Sequence, residues 1–217
     1  MHNKPINKNK PYFDNKDNLP NKNNTLIILD WDNTLFPTSW FMQNNISKQI
    51  NNNIDYFIKL DNVLYNFFKK IRHCGKVIVI TNALIEWINS SSNVLPKTKD
   101  MLQKIKVISA RGSYQDQYPN VMEWKKMAFK AEVTHNNINI ISVGDAYYEY
   151  NALVGLYDTQ NNVLLKSIKF VDDPDNDTLV DQIEVLQKVI PSICNLTKHL
   201  DLQFKLKDNV KIKQKNI

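Results

Sequence analysis

A chain of 217 residues with 42% hydrophobic and 10% aromatic residues can build one packed domain of ordinary size plus tails. Its two cysteines, Cys74 and Cys194, lie far apart without CxxC spacing, and its four histidines are scattered, which argues against a disulfide scaffold or a zinc site. The net charge of +6 belongs to the ends: residues 1–23 carry +3 and residues 198–217 carry +4, leaving −1 on the body, so no basic nucleic-acid-binding face is expected there.

Met1 to Asn24 is rich in Asn, Lys and Pro and too polar to fold alone. It carries no apolar leader, and no run approaches the roughly 18 residues of a membrane span. Those features imply an intracellular, cytoplasmic protein, with the nucleus left open. The organisation expected is a disordered tail over 1–23, a domain over 24–197 and a basic tail over 198–217. The lysines of the tails could touch nucleic acid or anionic surfaces, but solvated tails are the favoured reading.

Thr25 to Leu29 is a short apolar run without alternation, which predicts a strand buried on both faces. It ends in Asp30-Trp31-Asp32-Asn33-Thr34, followed by a loop unusually rich in aromatics (Phe36, Trp40, Phe41). From about Ile46 to His73, apolar residues recur at spacings of three and four, predicting a helix closed by Gly75 in a left-handed cap. Val77 to Thr81 is a second strand, ending at Asn82. Ala83–Ser91 and Thr98–Lys104 read as short helices. Val107 to Ala110 is a third strand, followed by Arg111-Gly112 and a polar loop to Asn120. A helix over Val121–Glu132, a fourth strand over Ile138–Val143 ending in Gly144-Asp145, and a helix over Tyr147–Tyr157 come next. Leu164 to Val171 is a fifth strand, and the acidic turn Asp172–Asp177 leads into a helix over Thr178–Val189. That acidic turn lacks the Gly and terminal Glu of a calcium loop.

Strands alternating with helices predict an α/β fold: a doubly wound, Rossmann-like parallel sheet of order 3-2-1-4-5, or close to it, with helices on both faces. The polar groups at three strand ends, Asp30/Asp32, Thr81/Asn82 and Gly144/Asp145, would then meet at one carboxyl edge, where such sheets bind ligands. Paired carboxylates are costly unless a cation stands near them, and Mg²⁺ suits carboxylate oxygens.

In this arrangement the chain resembles the haloacid dehalogenase (HAD) superfamily over about 25–190. Asp30-Trp31-Asp32-Asn33-Thr34 matches its first motif, Val77–Thr81 its second, and Gly144-Asp145 with Glu149 its fourth. The third motif is a lysine at the start of the preceding helix, and Lys125 and Lys126 both stand there. A helical projection puts Lys126 with Glu123 and Lys130 on the polar face and Lys125 within the apolar arc, so Lys125 is preferred. The resemblance implies a Mg²⁺-dependent phosphomonoester hydrolase. Asp30 would be the nucleophile and Asp32 the acid and base. Mg²⁺ would be held by Asp30, the Asp32 carbonyl and Asp145, and phosphate by Thr81, Asn82 and Lys125. Glu149, Thr34 and Arg111 are secondary candidates. Neither inter-motif segment has room for a large cap domain, which implies a capless member acting on a phosphoprotein or other large phosphorylated substrate. A phosphotransferase, or a non-catalytic domain of the same fold that binds a partner, are the alternatives.

Overall fold

The computed structural model describes residues 19–43, 50–157, 162–206 and 211–214, the last four by backbone only. Seven strands form one sheet in the order β3-β2-β1-β4-β5-β6-β7. They are β1 (Thr25–Leu29), β2 (Lys76–Thr81), β3 (Lys106–Ser109), β4 (Asn139–Gly144), β5 (Leu164–Lys169), β6 (Leu200–Lys205) and β7 (Lys211–Gln214). Strands β1 to β6 are parallel, in the order 3-2-1-4-5-6, and β7 is antiparallel to β6. The α/β architecture expected from the alternation of elements is therefore present. It is extended by two strands that the sequence reading assigned to a tail.

The helices are α1 (Thr38–Gln43), α2 (Ile54–Cys74), α3 (Ile85–Ser91), α4 (Pro96–Leu102), α5 (Ala110–Tyr114), α6 (Val121–Glu132), α7 (Tyr147–Val154) and α8 (Asn176–Asn195). Side chains alternate across a strand, and β1 shows it: Ile27 and Leu29 enter one hydrophobic cluster, Leu26 and Ile28 the other. The first cluster lies under α2 and α8, which present Phe57, Leu60, Leu64, Phe67, Phe68 and Ile71, and Leu179, Ile183, Leu186 and Ile190. The second lies under α6 and α7, through Ala128, Phe129, Ala152 and Leu153. Among the described residues no helix is long and apolar enough to cross a membrane.

Several sequence expectations shift locally. Gly75 is extended, not left-handed (φ −178°). Its reason is space: a Cβ there would stand 2.6 Å from the Thr25 carbonyl oxygen. The third strand ends one residue early, because Ser109 caps a short helix by accepting from the Gly112 N–H, so part of the expected polar loop is helical as α5. Helix α4 starts at Pro96, a favoured first helical position, and the buried Asp61 of α2 accepts from the backbone N–H groups of Lys97 and Thr98 at 3.0 and 2.8 Å. Helix α8 runs through Pro191 to Asn195. The segment expected to end the domain at 197 instead turns into β6, where Leu200, Leu202 and Phe204 are buried. The tail expected over 1–23 lies mostly outside the described residues; the part within them, 19–23, makes an Asn-rich turn with Asn24 ahead of β1.

Only helices and short turns join β1 to β2 and β2 to β3 among the described residues, and no large cap covers the carboxyl edge of the sheet.

Candidate active site

Asp30 follows β1 directly. Its N–H donates to the Val143 carbonyl at 3.0 Å, which ties the strand end to β4. By the alternation of β1, Asp30 falls on the side of Leu26 and Ile28, toward α6. Helix α6 answers with Lys125, which is 2% exposed, and the Lys125 Nζ stands 2.6 Å from Asp30 Oδ1. The same ammonium also pairs with Glu149 of α7. Lys126, one residue on, turns outward and pairs with Glu123 at 3.2 Å. Of the two candidate lysines, Lys125 is the one that faces Asp30.

Asp145, after β4, and Glu149, one helical turn later, complete the group. One carboxylate oxygen from each of Asp30, Asp145 and Glu149 lies within 4.8 Å of the others, and all three residues are buried. Glu149 is held in three ways. It pairs with Lys125, it accepts from the Ala146 N–H at 3.2 Å, and it lies against Gly144, where a Cβ would come within 2.3 Å of its Cγ. That close approach requires glycine at 144. Lys169, at the end of β5, donates to the Asp145 carbonyl at 2.7 Å and lies 5.2 Å from the centre of the Tyr147 ring, so the turn carrying Asp145 is anchored from the neighbouring strand.

Three carboxylates converge beside one ammonium, which pairs with two of them. Burial drives the Asp30 carboxyl well above its ordinary value, and Glu149, Asp145 and Asp32 push the same way against Lys125. Asp145 is pushed up to about 7, first by burial and then by Glu149. For Lys125, burial opposes the charge, but Asp30 and Glu149 outweigh it, and the ammonium is held above the usual lysine range. The group is thus short of positive charge. Hard oxygen donors, buried and converged, could hold a hard metal cation.

Asp32 points elsewhere. Its Oδ1 accepts from Thr38 Oγ1 at 2.5 Å and Trp87 Nε1 at 2.9 Å, and its Oδ2 accepts from Thr81 Oγ1 at 3.3 Å. Thr81 is fully buried, and its Oγ1 accepts from the Ala83 N–H at 3.0 Å. Asn82 follows at the same edge, and its Oδ1 is buried without a protein partner. Thr34 is buried, with its hydroxyl 3.5 Å from Asp145 Oδ1. Asn33, at φ 53°, turns the chain back so that its side chain bonds both Ser39 and Asp173. The acidic turn expected after the fifth strand is therefore docked on the loop after β1, and Asp175 caps α8 through the Thr178 N–H.

The sheet brings Asp30, Asp32, Thr81, Lys125, Asp145 and Glu149 together at one edge. Arg111 follows β3 at that edge, but it is exposed and donates to Gln115 Oε1 of its own turn. Sequence reasoning missed Thr38 and Trp87. Trp87 falls in the short helix expected over Ala83–Ser91, with no role assigned to it. Its place six residues beyond Thr81, near the start of the helix after β2, was the available signal, since a tryptophan N–H must find an acceptor when covered.

A parallel sheet of order 3-2-1-4-5-6 with Asp-x-Asp after its central strand and Gly-Asp-x-x-x-Glu after the next defines a HAD-like phosphatase without a large cap. A family model for NLI interacting factor-like phosphatases matches residues 25–196, and the chain belongs to that family. It is a phosphatase, and a phosphorylated substrate is implied by the family. No curated protein and no solved structure gives a significant match.

Proposed function

We propose that the chain is a Mg²⁺-dependent phosphomonoester hydrolase that works through an aspartyl-phosphate on Asp30. The observation that carries this reading is the buried Asp30–Lys125–Glu149 chain beside Asp145, where three carboxylates converge and one ammonium pairs with two of them. A charge arrangement of that kind is costly in an empty protein and suits one that binds a cation and a phosphoryl group.

In the first step an Asp30 carboxylate oxygen attacks phosphorus as the bond to the leaving oxygen breaks, and Asp32 gives that oxygen a proton. In the second, water attacks phosphorus and surrenders its proton to Asp32, releasing inorganic phosphate and restoring Asp30. Mg²⁺, held by Asp30, the Asp32 carbonyl and Asp145, would offset the repulsion between the carboxylates and the anionic substrate. Lys125, Thr81 and the Asn82 amide would hold phosphoryl oxygens. Rotation of that amide replaces its orphan acceptor with a donor. Glu149 fixes Lys125, and Thr34 steadies Asp145. Arg111 is left with a peripheral role in contacting the substrate.

The uncapped edge favours a large substrate, and a phosphoprotein is the class we propose. An intracellular, cytoplasmic setting suits a chain whose two cysteines are free.

The test is hydrolysis of p-nitrophenyl phosphate with Mg²⁺, beside EDTA and Asp30→Asn controls. Metal-dependent turnover lost in Asp30→Asn supports the reading. Folded Asp30→Asn that retains turnover overturns Asp30 as nucleophile, and turnover unaffected by EDTA overturns the metal.

A further inference from the structure

At the opposite edge of the sheet lies a feature the phosphatase chemistry does not use. Cys74 is the last residue of α2 and Cys194 stands near the end of α8, and they are the only cysteines in the chain. Although 120 positions apart, they line the same surface cavity of about 170 Å³, together with Lys22 and His73. The two helices pack against one another along one face of the sheet. From Cys74 the chain runs the length of β2 before reaching Thr81, a span of roughly 20 Å at about 3.3 Å per residue. The cysteines are thus remote from the phosphatase site.

The two thiols differ in setting. Cys74 is half-buried and borders the cavity, with its Sγ 3.6 Å from the Lys70 carbonyl. Cys194 is 4% exposed, and burial, with the neighbouring Cys74 thiol, pushes its own thiol up to about 12. Cys194 is also fixed in place. The fully buried Lys166 donates to the carbonyls of Ile193 and Cys194 at 2.7 and 3.2 Å, and Asn139 donates to the Cys194 carbonyl at 2.9 Å. The end of α8 is therefore pinned to β4 and β5, and the Cys194 sulfur is held beside the other thiol. The Lys166 ammonium also favours a thiolate on Cys194 as it reacts.

We propose that Cys74 and Cys194 form an oxidation site that closes to a reversible intramolecular disulfide and staples α2 to α8. A peroxide is the oxidant. Its O–O bond breaks as the Cys74 sulfur attacks, giving a sulfenic acid and one water. Cys194 then displaces the sulfenic hydroxyl, forming the S–S bond and releasing a second water. Two electrons and two protons leave the thiols, and a dithiol reductant returns them by exchange.

The test uses the full chain, reduced, desalted and treated with hydrogen peroxide at about pH 8. The expected product is a monomer on non-reducing gels with no free thiols, a mass lower by two hydrogens, and a linked Cys74–Cys194 peptide after proteolysis. Dithiothreitol should restore both thiols. The linked protein should melt higher than the reduced one by at least about 3 °C, since the bridge closes a very long loop. Cys74→Ser and Cys194→Ser should each abolish the link. Retention of two free thiols, disulfide-linked dimers in place of the monomer, or a sulfinic Cys74 beside a free Cys194 would each overturn the proposal. A linked protein that melts no higher than the reduced one overturns the staple.

Discussion

The indole N–H of Trp87 donates to Asp32 Oδ1 at 2.9 Å, linking the first helix after β2 to the second acid of the β1 loop. Trp87 is itself held edge-on to Phe36 at 5.8 Å and lies 6.0 Å from Phe41, so the aromatic loop after β1 folds back to fix the group that orients its own aspartate. Trp87→Phe keeps the ring stack and removes only the donor. Charge-assisted hydrogen bonds contribute about 1.5–3 kcal/mol, so kcat should fall roughly tenfold or more, with KM little changed. The loss should be larger for an alkyl phosphate than for p-nitrophenyl phosphate, whose leaving group needs no proton. An equal loss on both substrates would show that Trp87 does not act through proton transfer by Asp32.

Lys125 stands between Asp30 and Glu149 with almost no exposure. Removing one partner from a buried charge group leaves the others uncompensated, at a cost of about 3–5 kcal/mol. Lys125→Met should therefore destabilise the protein by that order in urea unfolding and abolish turnover, while Lys126→Met should stay within about 0.5 kcal/mol of the native protein. Lys125→Met/Glu149→Gln should recover part of the stability but none of the activity. Equal effects of the two single lysine changes would sink the assignment of Lys125.

Gly144→Ala places a methyl 2.3 Å from Glu149 Cγ, beneath the carboxylate that Lys125 holds. Glu149 must move, and its bonds to Lys125 and the Ala146 N–H are strained together. Overpacking of this kind costs about 1–3 kcal/mol, and kcat should fall with stability. Thermal unfolding and steady-state kinetics on the same variant check the prediction. A variant of native stability and rate would show that Glu149 is free to adjust.

Burial first, and then Glu149, pushes the Asp145 carboxyl up to about 7. Its folded value lies above its unfolded one, so the stability it contributes is full below the unfolded value of about 4 and is lost as pH rises through about 7. Under the proposed function Mg²⁺ would bind the deprotonated form and so reverse this loss. Its affinity should fall up to tenfold per pH unit below 7. The melting temperature gained on adding Mg²⁺ should be clearly larger at pH 8 than at pH 6, with Asp145→Asn gaining little at either. An equal gain at both pH values would remove Asp145 from the metal site.

How much of this could be read in the sequence depended on whether a signal was local. The strand ends were legible because an abrupt change from β-branched residues to Asp, Thr or Gly-Asp survives without knowledge of neighbours. Lys125 was legible because α6 is amphipathic, and a lysine inside the apolar arc must have a buried partner. Trp87 and Thr38 were not, because their role depends on α3 and the β1 loop meeting in space. The proximity of Cys74 and Cys194 was hidden for the same reason, as it arises only when α2 and α8 pack side by side. The capping position of Ser109 ahead of α5 and the proline start of α4 were local signals that the polarity of their surroundings obscured.

The far end of the sheet was misread for a different reason, and it gives the last prediction. Residues 198–217 carry six lysines, and that charge masked the alternation of Leu200, Leu202 and Phe204. In the folded chain these three are buried, β6 pairs in parallel with β5, and Phe204 packs edge-on against Phe170 with ring centres 5.0 Å apart. His199 joins them by accepting from the Leu165 N–H at 3.0 Å. Burying each such side chain contributes about 1.5–3 kcal/mol, so the three together rival the whole stability of an ordinary domain, about 5–15 kcal/mol. Truncation after residue 197 should therefore yield protein that is insoluble or melts far lower, by at least 10 °C on the scale of roughly 2–4 °C per kcal/mol. Truncation after residue 206 keeps β6 and removes only the final lysines and β7, and should cost much less. Leu202→Asp in the full chain should behave like the longer truncation, because it puts an unpaired charge among Phe204, Phe170 and α8. A 1–197 fragment that expresses and melts like the full chain would return β6 to the status of a tail.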